Sequence, residues 1–303
     1  MIYLLILPVF FIALILYFKL AIYYKIVDKP NIRSSHSEVT IRGGGIIYLV
    51  AAVTSIFLHF DYWLLVAALF TIGSISFLDD RITISSRIRL FFHLAAVTGV
   101  FYFLGVFSLM SWWLITLLYV IVIGIINAYN FMDGINGITG LYSLVVFASL
   151  QYINFHVTHF IEPDLVWLPI LASIVFLFFN FRTKAKCFAG DVGSITVALW
   201  IIFLILKLIL QSNNFNYLFF LSVYGVDTIM TILHRLKFYQ ILANDCKIPH
   251  LYVSVLYAGL QLFLNIIIIK FNFDFYLLFF LVNMPLCLLY ITLKPSLMIP
   301  ISK

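Results

Sequence analysis

Eleven apolar runs of about twenty residues, shorter where breakers intervene, fill most of this 303-residue chain. They lie near 2–24, 45–60, 62–78, 88–107, 109–126, 138–155, 165–181, 194–211, 215–233, 251–271 and 274–293. About 20 apolar residues in a helix span the hydrocarbon of a bilayer, and only structures that satisfy their own backbone hydrogen bonds persist there. The runs predict an all-α, polytopic integral membrane bundle of about 10–11 transmembrane helices, built as one domain over residues 1–303. Hydrophobic residues make up 64% and charged residues 10%, against about 45–50% and 25% in soluble domains. A soluble core is excluded. Cys187, Cys246 and Cys287 have no CxxC or zinc spacing, so neither a disulfide framework nor a metal cluster is expected. The first run lacks a basic leader and reads as a spanning helix rather than a signal peptide.

Orientation follows from the basic residues. Segments 25–44, 79–89, 181–193, 234–250 and the C-terminal tail hold nearly all the lysines and arginines, whereas the opposite connections add little beyond Lys207 and Lys270. The positive-inside rule places the N-terminus outside and those segments, with the 127–137 connection, in the cytoplasm. A net charge of +6 is thus a topology signal, and no nucleic acid is expected as a partner.

The unusual polar residues gather in the same connections. Asn127, Asn130, Asp133 and Asn136 form a polar knot with Gly134, Gly137 and Gly140. The first loop carries Asp28, Pro30, Arg33, His36 and Arg42-Gly43-Gly44-Gly45; glycines ahead of a helix can bring backbone N–H groups close to an anion. Asp79-Asp80 end the third run, and Phe188-x-Gly190-Asp191-x-Gly193-Ser194 opens the eighth. Asp227 lies within a run, where a carboxylate is by default functional or paired, and Arg235 and His250 follow it. Carboxylates, amide oxygens, glycine turns and cations at one membrane surface suit a hard cation shared with phosphates.

In this order the motifs resemble those of the polyprenyl-phosphate N-acetylhexosamine-1-phosphate transferases of glycosyltransferase family 4, over nearly the whole chain. The likeness is greatest to the bacterial branch serving O-antigen, capsule and related surface polysaccharides. It implies transfer of a sugar-1-phosphate, of the GlcNAc type, from a UDP-sugar to undecaprenyl phosphate at the bacterial inner membrane, releasing UMP. Mg²⁺ is the implied cofactor, with Mn²⁺ as a substitute, and a homodimer is compatible with the family. By the same likeness Asp79, Asp80, Asp133 and Asp191 are the catalytic acids, and Asp191, Asp133 and Asn130 hold the metal. Asp79 and Asp80 serve the lipid phosphate. Arg33, His36, Gly43, Gly44, Asn127, Asn130, Asn136, Phe188, Gly190, Arg235 and His250 line the substrates, with Phe188 stacking on uracil.

Four departures stand out. Asn136 replaces a frequent aspartate, Ser34 a frequent lysine and Ile41 a frequent proline, and His250 stands alone where the muramoyl-pentapeptide branch has clustered histidines. Asn136 is expected to serve as a neutral stand-in, so that aspartate there is tolerated. Three alternatives are a transporter of an anionic solute, a phospho-MurNAc-pentapeptide transferase, and a partner-binding protein that has lost catalysis.

Overall fold

The computed structural model describes residues 2–28, 39–234, 238–271 and 273–297. In chain order these form helix α1 (Ile2–Tyr23), strands β1 (Val27–Asp28) and β2 (Thr40–Ile41), α2 (Ile46–Leu58), a 3-10 turn (Phe60–Tyr62), α3 (Trp63–Asp79), α4 (Ser86–Phe103) and the one-turn α5 (Val106–Leu109). There follow α6 (Trp112–Met132), α7 (Ile138–His156), α8 (Asp164–Asn180) and α9 (Gly190–Ser212). A 3-10 stretch (Phe215–Leu221) leads into α10 (Ser222–His234), then the short α11 (Phe238–Gln240), a π-helical turn (Ile241–Asp245), α12 (His250–Lys270) and α13 (Phe275–Leu297).

The fold is an all-α polytopic bundle, with a single two-residue antiparallel ribbon pairing Val27 with Ile41 among the described residues. All eleven apolar runs are helical. Eight of the described helices are long and apolar enough to cross a membrane; α2 and α8 are apolar but shorter. The remaining run, α4, opens with Arg87 and Arg89, which dilute its apolar character.

The core is organised around α9. It packs against α2, α3, α6 and α7, and Val192 to Leu206 are buried without interruption, as expected of a helix that is apolar all round. The rim helices α1 and α13 instead turn leucines such as Leu5, Leu16 and Leu281 outward. Within the bundle, fully buried Gln261 accepts from the Tyr142 hydroxyl at 2.7 Å, and the Asn265 amide donates to Ser149 at 2.9 Å. These bonds lock α12 to α7 where unmet polar groups would be costly.

Two boundaries differ from the sequence reading. Helix α6 continues to Met132, because Tyr129 and Met132 pack inward and extend the buried stripe. Asn127 and Asn130 are therefore helical residues about 60° apart around the axis, not loop residues. Helix α9 starts at Gly190, which puts Asp191 in its first turn.

Candidate active site

The motif loops meet at one end of the bundle, around the start of α9. The glycine triplet packs there. Gly44 and Gly45 donate their N–H groups to the carbonyls of Phe188 (2.8 Å) and Ala189 (3.0 Å), and Phe188 N–H returns a bond to Ile41 at 2.8 Å. A Cβ on Gly45 would lie 2.2 Å from the Gly193 Cα, so the first turns of α2 and α9 touch backbone to backbone. Gly43 takes φ +78°, a conformation that favours glycine. The sequence reading of Gly44 as a phosphate donor is corrected: its N–H is committed to Phe188, and the triplet serves close packing.

The adjacent acids part ways. Asp80 Oδ2 accepts the Asp191 N–H at 2.9 Å, with Val192 N–H beside it, so a residue at the end of α3 caps the start of α9. Gly190, at φ +70°, leaves room for this: a Cβ there would meet Asp80 Oδ2 at 2.6 Å. Asp80 Oδ1 receives no well-angled hydrogen bond, but the Arg42 guanidinium lies 2.7 Å away, and the Asp80 side chain is 1% exposed. Burial pushes the Asp80 carboxyl up to about 7. The nearby charge of Asp191 adds to that, and Arg42 and the two N–H groups offset part of it. Asp79 turns instead to the following loop, accepting Ile84 N–H at 2.8 Å and pairing with Arg89 at 2.9 Å.

On the α6 side, Asn130 Oδ1 accepts the Ser194 hydroxyl at 2.9 Å, and the Asn130 side chain hydrogen-bonds the Asp191 carboxylate. Asn127, one helical step around, is exposed and bonds back to Ile123 O at 2.9 Å. Asn127, expected to line the substrates, therefore presents from the helical end of α6 rather than from a loop.

The rest of the knot is a clamp on the 181–189 loop. The Asn136 side-chain amide donates to the carbonyls of Arg182 (2.8 Å) and Thr183 (3.3 Å), and the Asn136 main-chain carbonyl accepts from the Ser254 hydroxyl at 2.7 Å. Asn180 Oδ1 accepts Gly137 N–H at 2.7 Å while its amide donates to Cys187 O at 2.8 Å. Asp133 accepts the Thr139 hydroxyl at 2.7 Å and exerts its field on Tyr48, Tyr224 and Tyr239. Asn136 N–H reaches His250 Nδ1 at 3.5 Å, bringing the start of α12 against the knot. Asn136 thus acts as a donor, which no carboxylate can be. An aspartate there would face both carbonyls with an acceptor alone, which argues against the expectation that it is tolerated.

Asp80, Asp191, Asn130, Gly190 and half-buried Phe188 come together, with Asp79 beside them and His250 with Asn136 on the adjoining wall. Arg33, His36 and Arg235 lie outside the described residues. The sequence reading placed Arg42 in the glycine motif without a partner, counted Arg89 only as a topology signal and gave Asn180 no role. Asp227 is buried and structural: it accepts Tyr257 OH at 2.7 Å and Phe238 N–H at 3.1 Å. The acid that most favoured a transporter is therefore spent on packing.

Among the described residues no three His, Cys, Asp or Glu side chains form a closed metal cluster. Asp80 and Asp191 with the neighbouring Asn130 make an all-oxygen set, and the under-bonded Asp80 Oδ1 faces a cation already. Such a half-shell fits Mg²⁺, which keeps waters and shares substrate phosphates.

The model of the family described as "Glycosyl transferase family 4" matches residues 62–209, which hold α3 through most of α9 and both Asp80 and Asp191. The match takes in just under half of the chain, and that half is similar to glycosyl transferase family 4. It is 24% identical over 271 residues to the probable undecaprenyl-phosphate N-acetylglucosaminyl 1-phosphate transferase of Bacillus subtilis (strain 168), covering 83% of this chain and 75% of that protein. It is 30% identical over 220 residues to the undecaprenyl-phosphate alpha-N-acetylglucosaminyl 1-phosphate transferase of Escherichia coli (strain K12), covering 65% and 59%. Its identity to the phospho-N-acetylmuramoyl-pentapeptide-transferase of Listeria welshimeri is 25% over 185 residues, or 51% and 56%. The chain thus spans little more than half the length of these last two relatives.

Proposed function

We propose that this chain transfers an N-acetylhexosamine-1-phosphate, GlcNAc-1-phosphate first among them, from a UDP-sugar to undecaprenyl phosphate, starting a surface polysaccharide at the bacterial inner membrane. The observation that carries the reading is the Asp80–Asp191 pair at the head of the buried α9, flanked by Arg42, Arg89 and Asn130. The relatives' names supply the substrate class.

The lipid phosphate is already anionic near neutral pH, so the reaction asks for positioning and charge neutralisation more than for a strong base. One of its oxygens bonds to the sugar-bearing phosphorus. The bond from that phosphorus to the bridging oxygen breaks, and UMP leaves with that oxygen. Asp79, at the membrane-facing end of α3, sits where the carrier's head would emerge, and Arg89 beside it meets phosphate charge. Arg42 does the same for the pyrophosphate. Phe188, its backbone bonded on both sides, offers half of a ring face for uracil to stack on. His250 contacts the nucleotide-sugar from the knot side.

Mg²⁺ would be held by Asp191 and Asp80, with Asn130 steadying Asp191, and supplies charge neutralisation at the pyrophosphate when bound. Asp133, bonded to Thr139, shapes the neighbouring wall in this reading.

The test is UMP release by purified protein supplied with undecaprenyl phosphate and UDP-GlcNAc, with and without Mg²⁺. Release that needs both lipid and metal supports the reading, and release that ignores the lipid overturns it. The Listeria relative makes UDP-MurNAc-pentapeptide the competing donor. The lone His250 in place of clustered histidines favours the simpler sugar.

A further inference from the structure

A groove of about 340 Å³ opens between α7 and α12, lined by Ala148, Ser149, Tyr152, Leu262, Ile266 and Ile269, with Lys270 at its end. Lys270 closes the helix that His250 begins, about 30 Å away along the axis. The groove therefore belongs to the end of the bundle opposite the candidate active site.

Its walls recognise hydrocarbon. Ser149 is its buried polar residue, and that hydroxyl already donates to Val145 O and accepts from Asn265. From Leu262 to Lys270 the groove follows α12 for about 12 Å. Its volume matches about eleven groups of the ~30 Å³ that a water-sized unit occupies. Both figures describe a stretch of one acyl chain.

Its mouth recognises charge. Lys270 is exposed and makes no ion pair among the described residues. The nearest acid in sequence, Asp274, uses one oxygen to cap α13 through the N–H groups of Tyr276 and Leu277. Lys270 is also one of only two lysines or arginines that the sequence directs to this side, where positive charge is disfavoured. Tyr152, packed on His156 with ring centroids 4.7 Å apart, is the amphipathic aromatic expected at headgroup depth.

The geometry points to a structural lipid site: an anionic phospholipid lays one acyl chain between α7 and α12 and sets its phosphate against Lys270. The site is independent of the transfer reaction, and its occupant is a membrane phospholipid rather than the carrier, whose phosphate is needed at the other end.

Native mass spectrometry of the detergent-purified protein tests this with phosphatidylglycerol and phosphatidylcholine of identical chains. The wild type should retain phosphatidylglycerol at about fivefold lower concentration, the gain from one surface cation. Lys270→Gln should erase that difference, and Ile266→Trp, which fills the groove, should weaken both lipids. Thermal melting checks that each variant folds; inorganic phosphate, lacking a tail, should leave the wild-type melt unchanged. Equal retention of the two lipids, or a preference that survives Lys270→Gln, overturns the assignment. So does a melt that inorganic phosphate raises in the wild type but not in Lys270→Gln, or a dimer that Ile266→Trp dissociates while no lipid is bound.

Discussion

The Asp80 carboxylate caps the first turn of α9 by accepting the Asp191 N–H at 2.9 Å, joining residues 111 positions apart. This bond makes the two acids one unit. Asp80→Asn keeps the size and an acceptor for that N–H but removes the charge. Lipid-linked product formation should fall at least about a hundredfold, consistent with the several kcal/mol of charge stabilisation such sites supply. The protein should remain in the membrane and melt no lower than the wild type at neutral pH. Near wild-type turnover would separate Asp80 from the chemistry.

Asn136→Asp should damage the protein. It sets a carboxylate against the carbonyls of Arg182 and Thr183 at a position 5% exposed. An unmet buried polar group costs about 1–3 kcal/mol, so the melting temperature should drop and product formation should fall at least about tenfold, RT-equivalent to 1.4 kcal/mol. Asn136→Gln, which retains the donor, should do less harm. A fully active, stable aspartate variant would show that the 181–189 loop does not need this clamp.

The pH dependence of stability should carry the mark of Asp80. A carboxyl whose folded-state value is raised to about 7 contributes stability that is fully present below the ordinary carboxylate range. That contribution is lost as pH rises through about 7. In chelator, the wild type should therefore melt lower at pH 8 than at pH 5. Asp80→Asn should flatten this slope. Arg42→Gln, removing the cation that favours the ionised form, should steepen it. A wild-type melt equal at both pH values would contradict the assignment.

Glycine substitutions should sort by contact. A Cβ on Gly45 meets the Gly193 backbone at 2.2 Å, whereas one on Gly124 meets nothing within 4 Å. Gly45→Ala should cost at least the 1–3 kcal/mol typical of overpacking and show as lost expression or a lower melt. Gly124→Ala should be neutral. Equal melting of the two would mean that α2 can step back from α9 without cost.

Asp227→Ala should act on folding rather than on turnover. It leaves Tyr257 OH and Phe238 N–H buried without their acceptor, so the melt should fall while turnover per folded molecule is kept. Loss of turnover in a variant that melts like the wild type would return Asp227 to the functional residues.

The membrane class and the helices were legible because apolar runs of spanning length admit few other folds. The gathering of motif loops at one end followed from parity and charge bias. Partner choice was not legible. Gly43-Gly44-Gly45 announces close backbone approach, but nothing local says whether a phosphate or another helix approaches, and here Gly193 does. Asp79 and Asp80 look equivalent in sequence, yet successive residues at a helix end point about 100° apart and find different partners. Asn127 was misplaced by a helix end set six residues early. Arg42 and Arg89 were hidden by serving the inside-positive bias as well as the acids they pair with.

The contact of Gly45 with Gly193 has a consequence for biogenesis. Roughly 150 residues separate the two, so at 5–20 residues per second the ribosome needs about 8–30 s to deliver the second after the first. Until then Asp80 has no α9 to cap, Arg42 has only half of its surroundings, and the glycine triplet has no backbone to lie against. A nascent chain in the membrane thus lacks the acid pair until α9 inserts, and the His250 wall of the candidate site until α12 follows.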